Sequence, residues 1–420
     1  MGSKDHSKLV VFDVEGIVVP KRRFMLFEIA GKIGVWPFLK AALLGLLYEI
    51  GLISLKQALQ DIYQLFEGLP LDRFLSLFQR VPLMPGVERV FKDLRKAGFE
   101  IAMISSSIPR IALENLGGNL EADYVSGLEI GVSEGLLTGD IWGDVIERDG
   151  KAVALRKILN NQLSSHRYCV VVADDRNNLP MFRLCDLTIG YNPDFILSIR
   201  SDHVVKGKLS GIIPLVKGES IESRSRGLSE RDLVRELIHI GGFSVSLVCA
   251  HLFGRYTVAT LVLLVTSLYT ISETGRMFGR SLPPITYITS SATGESEFQE
   301  FVASPIFYAL GIVMSIILFP EPICYVSVTV LTLGDGFAAV LGEKFGRSPV
   351  PFNKTKNLEG TAGGFLVAFM GSLLFTNPFL ALVASAAGMF AEVLPLPVND
   401  NLTVPLASGL ALTAVSAVFL

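Results

Sequence analysis

The sequence predicts an α/β unit built on a parallel sheet, followed by an all-α polytopic membrane unit of about seven helices. Three observations carry that reading. In the first half, short apolar strands alternate with helical stretches. After about residue 218 the chain becomes a series of apolar runs, each near the ~20 residues that cross a bilayer as helix. Across all 420 residues, 50% are hydrophobic and 18% charged, against the ~25% charged residues usual in soluble proteins. The net charge of −3 argues against a nucleic-acid binder, which carries a basic excess. Cys169, Cys185, Cys249 and Cys324 lie far apart and read as small buried hydrophobes.

The elements of the first half follow in order. "KLVVFDVEG" reads as a buried strand and a turn, ending in Asp13 and Glu15. "GVERVFKDLRKAG" is helical, and the strand "FEIAMISSS" ends in Ser105, Ser106 and Ser107. Lys151 opens the helix "KAVALRKILNNQ"; the strand "YCVVVADDRNN" then ends in Asp174, Asp175, Asn177 and Asn178. "LPMFRLC" and the strand "DLTIGYN" complete the pattern. Ligands of such sheets bind beyond the carboxyl ends of the strands, so these polar residues are expected at one edge. Carboxylates suit Mg²⁺, a hard ion that prefers oxygen. A carboxylate also serves as nucleophile towards a phosphoryl group, with a neighbouring acid to move protons.

"FDVEG", "ISSS", "GK" and "ADDRNNLPM", in this order, resemble the four motifs of the haloacid-dehalogenase-like (HAD-like) hydrolase superfamily, nearest its phosphoserine-phosphatase branch. "LLTGDIWGDV" resembles the segment that precedes the lysine motif there. The resemblance covers about residues 8–215 and implies a Rossmannoid parallel sheet with a helical cap at about 20–85. It implies Asp13 as nucleophile and metal ligand and Glu15 as general acid/base and a further metal ligand. Ser105, Ser106, Lys151, Asn177 and Asn178 would hold the phosphate, and Asp174 and Asp175 would complete the Mg²⁺ site. The last motif, usually GDGxND, departs from the family: Asp175 stands for a glycine and Asn178 for the second acid. That removes a negative charge near the metal, with Asp175 as a replacement from a shifted position. The cap segment 27–53 is interrupted by Glu28, Lys32, Pro37 and Lys40. It fits either a packed helical cap or a cap resting on the membrane.

"KGESIESRSRGLSERD" (217–232) reads as a linker, which divides the chain into residues 1–218, a linker at 219–236 and a membrane unit at 237–420. The expected spans are 237–253, 256–274, 301–319, 321–342, 360–376, 378–397 and 402–420. The N-terminus has no apolar core fit for a signal peptide, so the soluble unit is expected in the cytosol. Parity then puts the loops 275–300, 343–359 and 396–401 on the cytosolic side. Arg276, Arg280, Lys344, Arg347, Lys354 and Lys356 fall in that set and Arg255 outside it, as the positive-inside rule requires.

In this half Asp335 lies near a span end, beside Lys344, Lys354, Thr355, Lys356, Glu359 and Gly360 in "GDGFAAVLGEKFGRSPVPFNKTKNLEGTAGG", with Thr361 adding a hydroxyl. Asp400 and Asn401 lie at the cytosolic mouth of the last two spans, and Arg235, His239, Glu273 and Arg276 lie at the same face. Basic residues with an acid beside them suit a polyphosphate and its Mg²⁺. "RELIHIGG", "SETGR", "GDGFAAVLGEKFGR", "KTKNLEGTAGG" and "DNLTVPLASG" resemble the dolichol kinase and phytol kinase family, CTP-dependent kinases of polyprenyl alcohols. The resemblance, over about 231–420, implies CTP at the 343–361 loop and Asp335 near the metal, as the favoured base. Lys354, Lys356, Glu359 and Gly360 would lie at the phosphates, with Asp400 and Asn401 completing the pocket. The expected protein is a multi-pass membrane enzyme that phosphorylates an isoprenoid alcohol with CTP and carries a fused Mg²⁺-dependent phosphatase. Its partners would be the bilayer, an isoprenoid alcohol or lipid phosphate, and a nucleotide, with no nucleic acid. The alternatives are a CDP-lipid-forming cytidylyltransferase with an inactive phosphate-binding domain, and a membrane scaffold that only binds phosphorylated ligands.

Overall fold

The computed structural model describes residues 8–20, 33–49, 52–79, 81–160, 168–218, 230–277, 279–280, 282–299, 301–351, 353–396 and 398–419, with Leu26 and Ala30. The chain divides into two compact units, Met1–Ile221 and Glu222–Leu420.

The first unit is built around β1 (Lys8–Asp13), a strand buried at every position after Lys8. β1 pairs in parallel with β2 (Phe99–Pro109) and with β5 (Tyr168–Ala173). The remaining strands are β3 (Tyr124–Ser133), β4 (Leu136–Trp142), β6 (Leu187–Tyr191) and β7 (His203–Val205), giving the order β4-β3-β2-β1-β5-β6-β7. Alternation along β1 sends Val10 and Phe12 into one core and Leu9 and Val11 into the other. Helices therefore cover both faces, as a parallel sheet demands. The expected parallel sheet gains one antiparallel edge, because β4 turns back on β3. "LLTGDIW" carries too little apolar alternation to declare itself a strand.

The helices α1 (Val35–Glu49), α2 (Leu55–Gln64) and α3 (Leu71–Phe78) lie between β1 and β2 in the chain. α2 starts at Ser54, whose side chain accepts a hydrogen bond from the Gln57 backbone N–H. Tyr63, Phe66, Phe74 and Phe78 pack edge-on and tilted into one aromatic cluster within the cap. α4 (Val87–Lys96), α5 (Arg110–Asn119) and α6 (Gly150–Leu159) complete the main framework. Cys169 and Cys185 are joined as a disulfide with Cα atoms 4.6 Å apart, while Cys249 and Cys324 are buried and free. The reading of all four as isolated thiols is corrected for the first pair. They are 16 residues apart in sequence, but Cys169 is the second residue of β5 and Cys185 just precedes β6, the strand beside it.

The second unit is helical. Among the described residues, three of its helices are long and apolar enough to cross a membrane: Glu230–His251, Arg255–Met277 and Ile323–Phe345. Ser304–Leu318 and Pro378–Val393 are apolar but shorter. Leu358–Ser372 and Asp400–Phe419 occupy the other two expected positions, the latter with Pro405 inside it. Two boundaries differ from expectation. Residues 230–236 are helix, so the linker ends earlier; the charge of "ERDLVRE" hides its amphipathic period. The expected loop 275–300 contains a helix, Pro283–Ala292. Much of the expected linker, 219–229, lies outside the described residues.

Ile323–Phe345 is the most buried of the three long helices, with 67% of its apolar window inside the protein. It widens into a π-helical turn over Val330–Asp335, a distortion frequent at functional sites. Close packing there rests on small residues: a Cβ on Gly364 would meet the Gly334 carbonyl oxygen at 2.3 Å. The loop after this helix forms a hairpin of β8 (Pro349–Val350) and β9 (Asn353–Asn357).

Candidate active sites

In the first unit, the carboxyl ends of β1, β2 and β5 bring together residues that are up to 165 positions apart. Asp13 is 2% exposed and Lys151 7%, and Lys151 Nζ lies 2.7 Å from Asp13 Oδ1. The same ammonium donates to Asn178 Oδ1 at 3.0 Å. Asn178 Nδ2 donates to Asp13 Oδ2 and, at 2.9 Å, to Asp175 Oδ1. An amide serves here because it accepts from the lysine and donates to the carboxylates at once; a carboxylate could only accept.

Burial raises the Asp13 carboxyl to about 6, with Glu15 and Asp175 adding to the rise and Lys151 opposing it. Burial alone would lower the Lys151 pKa, but Asp13, Asp175 and Glu15 carry it above the ordinary lysine value. Glu15 turns away from this group. Its Oε1 accepts from Ser105 Oγ at 2.7 Å and from Ser107 Oγ. Ser105 in turn accepts from the Ser107 and Ile108 backbone N–H groups at 3.2 and 2.9 Å. Its hydroxyl thus orders Glu15 and the end of β2, and Ser107, absent from the expected site, is the second anchor. Ser106 is buried beside them. Asn177 donates its backbone N–H to Asp175 Oδ1 at 3.0 Å, so that Asp175 caps the local turn.

Asp13, Asp174 and Asp175 offer carboxylate oxygens that all lie within 4.8 Å of one another. A hard-oxygen set of this size fits a divalent cation such as Mg²⁺. The Glu15 side chain, expected near the metal, stands outside that set. Gly16 is forced by two demands: φ is +84°, and a Cβ would sit 2.2 Å from Asp174 Oδ2.

In the second unit the hairpin lowers Lys356 among three acids. Its Nζ lies 2.6 Å from Glu392, 2.9 Å from Asp400 and 3.7 Å from Asp335. Burial alone would depress the Lys356 pKa; Asp335, Glu392 and Asp400 reverse that and hold the ammonium charged. His239 Nε2 is 3.5 Å from Asp335 Oδ2 and 3.3 Å from the Leu331 carbonyl oxygen within the π-turn. Tyr308 holds this histidine from behind, its hydroxyl donating to the His239 carbonyl at 2.6 Å and its ring 4.3 Å away.

Of the residues expected here, Asp335, Lys356 and Asp400 come together. Glu359 bonds to the Ser348 hydroxyl and to the Arg347 and Ser348 backbone N–H groups, so it braces the loop. Thr355 bonds to Asn353, and Gly360 donates its N–H to Asn357 at the helix start. Lys344 is exposed over the Phe345 ring, and the side chain of Lys354 lies outside the described residues. Among the described residues no hydrogen bond ties the Asn401 side chain to Lys356. Glu392 was not expected. It is the only acid of its helix, 3% exposed, and also accepts from Thr361; a lone acid within an apolar span was the signal that marked it. Glu273 and Arg276, expected at the same face, form a separate buried brace. Arg276 grips Glu273 at 2.9 and 2.6 Å, and Glu273 accepts from the Val302 N–H at 2.8 Å.

A family model described as haloacid dehalogenase-like hydrolase matches residues 10–183. A phosphoserine phosphatase of Archaeoglobus fulgidus is 28% identical over 211 residues, 50% of this chain and 60% of its own. The chain thus spans less than two thirds of that relative. The probable phytol kinase of Zea mays is 30% identical over 209 residues, 45% of this chain and 68% of its own. The farnesol kinase of Arabidopsis thaliana is 28% identical over 209 residues, 45% of this chain and 67% of its own. The phytol and farnesol kinases match the C-terminal region. The chain therefore carries a haloacid dehalogenase-like hydrolase domain and, through its C-terminal half, belongs to the phytol kinase family.

Proposed function

We propose that the chain is a membrane enzyme with two chemistries: a Mg²⁺-dependent phosphomonoesterase in the first unit and a CTP-dependent kinase of isoprenoid alcohols in the second. The observation that carries the reading is the placement, in each unit, of a lysine beside a cluster of carboxylates.

In the phosphatase, Asp13 is the nucleophile. Its oxygen forms a bond to phosphorus as the bond to the leaving oxygen breaks, giving an aspartyl-phosphate. Glu15, held by Ser105 and Ser107, gives a proton to the leaving oxygen and then takes one from the water that hydrolyses the intermediate. Lys151 neutralises charge at the phosphoryl oxygens. Asp13, Asp174 and Asp175 would hold Mg²⁺, which supplies positive charge to the phosphate.

In the kinase, the hydroxyl of an isoprenoid alcohol attacks the γ-phosphorus of CTP and CDP leaves. Asp335, oriented by His239, is placed to accept the hydroxyl proton, and Lys356 faces the polyphosphate. Asp335 would lie near the nucleotide's Mg²⁺. Phytol and farnesol are the natural first substrates to try, because the relatives are kinases of those names. The bilayer supplies the alcohol, and both sites face the cytosol, where the nucleotide is.

Membranes containing the chain, given γ-labelled CTP and a set of prenols, test the reading. Labelled prenyl monophosphate with CDP supports it. Pyrophosphate release with a CDP-lipid contradicts the kinase, and inertness of wild type and Asp13→Asn alike across a phosphomonoester panel contradicts the phosphatase.

A further inference from the structure

We propose that the outward face of α1 docks on the lipid bilayer, seating the cap of the phosphatase unit in the membrane interface. The proposal rests on the reading that the C-terminal half is embedded in that bilayer.

The helix is apolar on both sides. Ala41 and Leu44 point into the core shared with Leu59 and Ile62 of α2. On the opposite stripe, Trp36 is 77% exposed, Leu39 51% and Leu43 55%, with Lys40 exposed beside them. Positions 36, 39, 40 and 43 fall on one helical face. Ile33 and Leu52, before and after the helix, are exposed as well.

A water-facing cap helix should be polar on its outer side, and α4 of the same unit obeys that rule. It buries Val87, Val90, Phe91 and Leu94 and exposes Glu88, Arg89 and Lys92. α1 breaks it with a tryptophan and two leucines. The surrounding charge selects the occupant. Between residues 21 and 49 the sequence has Lys21, Arg22, Arg23, Lys32 and Lys40 against Glu28 and Glu49. Apolar side chains flanked by cations fit the boundary between acyl chains and anionic headgroups, where tryptophan is also favoured. The same chain provides helices able to cross such a membrane.

Docking there has a consequence for the reaction. α1 packs on α2, and α2 carries Tyr63, whose hydroxyl donates to the Ser107 carbonyl at 2.8 Å beside Glu15. A cap seated on the bilayer places this site at the interface and suits an amphiphilic phosphomonoester.

The full chain can report on its own docking, because Trp36 and Trp142 are its only tryptophans. A Trp142→Phe chain, in nanodiscs of phosphatidylglycerol and phosphatidylcholine with brominated acyl chains, should show blue-shifted Trp36 emission. Quenching of about twofold or more against unbrominated discs is expected for a ring at the acyl boundary. Adding Leu39→Glu and Leu43→Glu should abolish the quenching while leaving the melting temperature in detergent unchanged. Red-shifted emission open to acrylamide, with no quenching by brominated chains, overturns the proposal. Blue-shifted emission without that quenching also overturns it, assigning the face to protein. Carbonate washing separates the two layers of the argument: a chain that leaves the membrane refutes the embedding and the docking with it. A retained chain with unquenched Trp36 refutes the docking alone.

Discussion

The two units solve the same electrostatic problem by different means. In the first, Lys151 donates to Asp13 and to the neutral Asn178, and Asp174 and Asp175 lie close to Asp13. In the second, Lys356 stands between Glu392, Asp400 and Asp335. One site is pre-shaped around a carboxylate triplet. The other has its lysine at the centre, where a nucleotide and its cation, on the proposed reading, would compete for the same carboxylates. The frames differ accordingly. Strand ends fix the first site through a hydrogen-bonded ladder, whereas helix ends and a short hairpin fix the second. The second should therefore be the more easily deformed.

Breaking one site and leaving the other intact is the sharpest use of this contrast. Asp13→Asn should lower phosphatase turnover by about a thousandfold or more, as loss of a nucleophile does, with prenol phosphorylation unchanged. Lys356→Met should lower kinase activity by about a hundredfold or more through lost charge at the polyphosphate, with phosphatase activity unchanged. If either variant silences both reactions, the sites are not independent. Asp175→Gly removes one carboxylate of the triplet and should raise the Mg²⁺ needed for half-maximal hydrolysis about tenfold or more; titration of activity against Mg²⁺ checks it.

Glu273→Ala should leave Arg276 buried without its partner and cost about 3–5 kcal/mol, seen as a lower melting temperature in detergent. The smallest effect concerns pH. The Asp13 carboxyl is raised to about 6 in the folded protein from 3.8, so the folded state binds more protons than the unfolded one between those values. Stability of the chelated protein should therefore rise as pH falls from 7 towards 4, and Asp13→Asn should flatten the dependence of its melting temperature.

Most of the first unit was legible because strand ends announce themselves: an apolar run followed by Asp13, Ser105 or Asp174 sets both a fold element and a site position. What escaped depended on side-chain direction. Glu15 looked like a companion of the metal ligands, but the serines at the end of β2 draw its carboxylate away. Ser107 was quoted in its motif without a role, since spacing cannot show which of three serines faces an acid. In the membrane unit Asp335 and Lys356 were visible as ionisable residues near span ends. Glu392 was hidden by attention to the loop that follows it, and His239 by its resemblance to an ordinary interfacial residue. Glu359 shows the opposite case, a motif acid whose hydrogen bonds brace the loop.

The central claim is that two separate phosphoryl-transfer sites share one chain, and one measurement addresses it directly. Purified chain in lipid nanodiscs is given γ-labelled CTP with phytol or farnesol, comparing wild type, Asp13→Asn and Asp335→Asn. Wild type and Asp13→Asn should both yield labelled prenyl monophosphate and CDP, and Asp335→Asn should yield neither. Equal lipid labelling in Asp335→Asn, or release of pyrophosphate in place of CDP, would contradict the account.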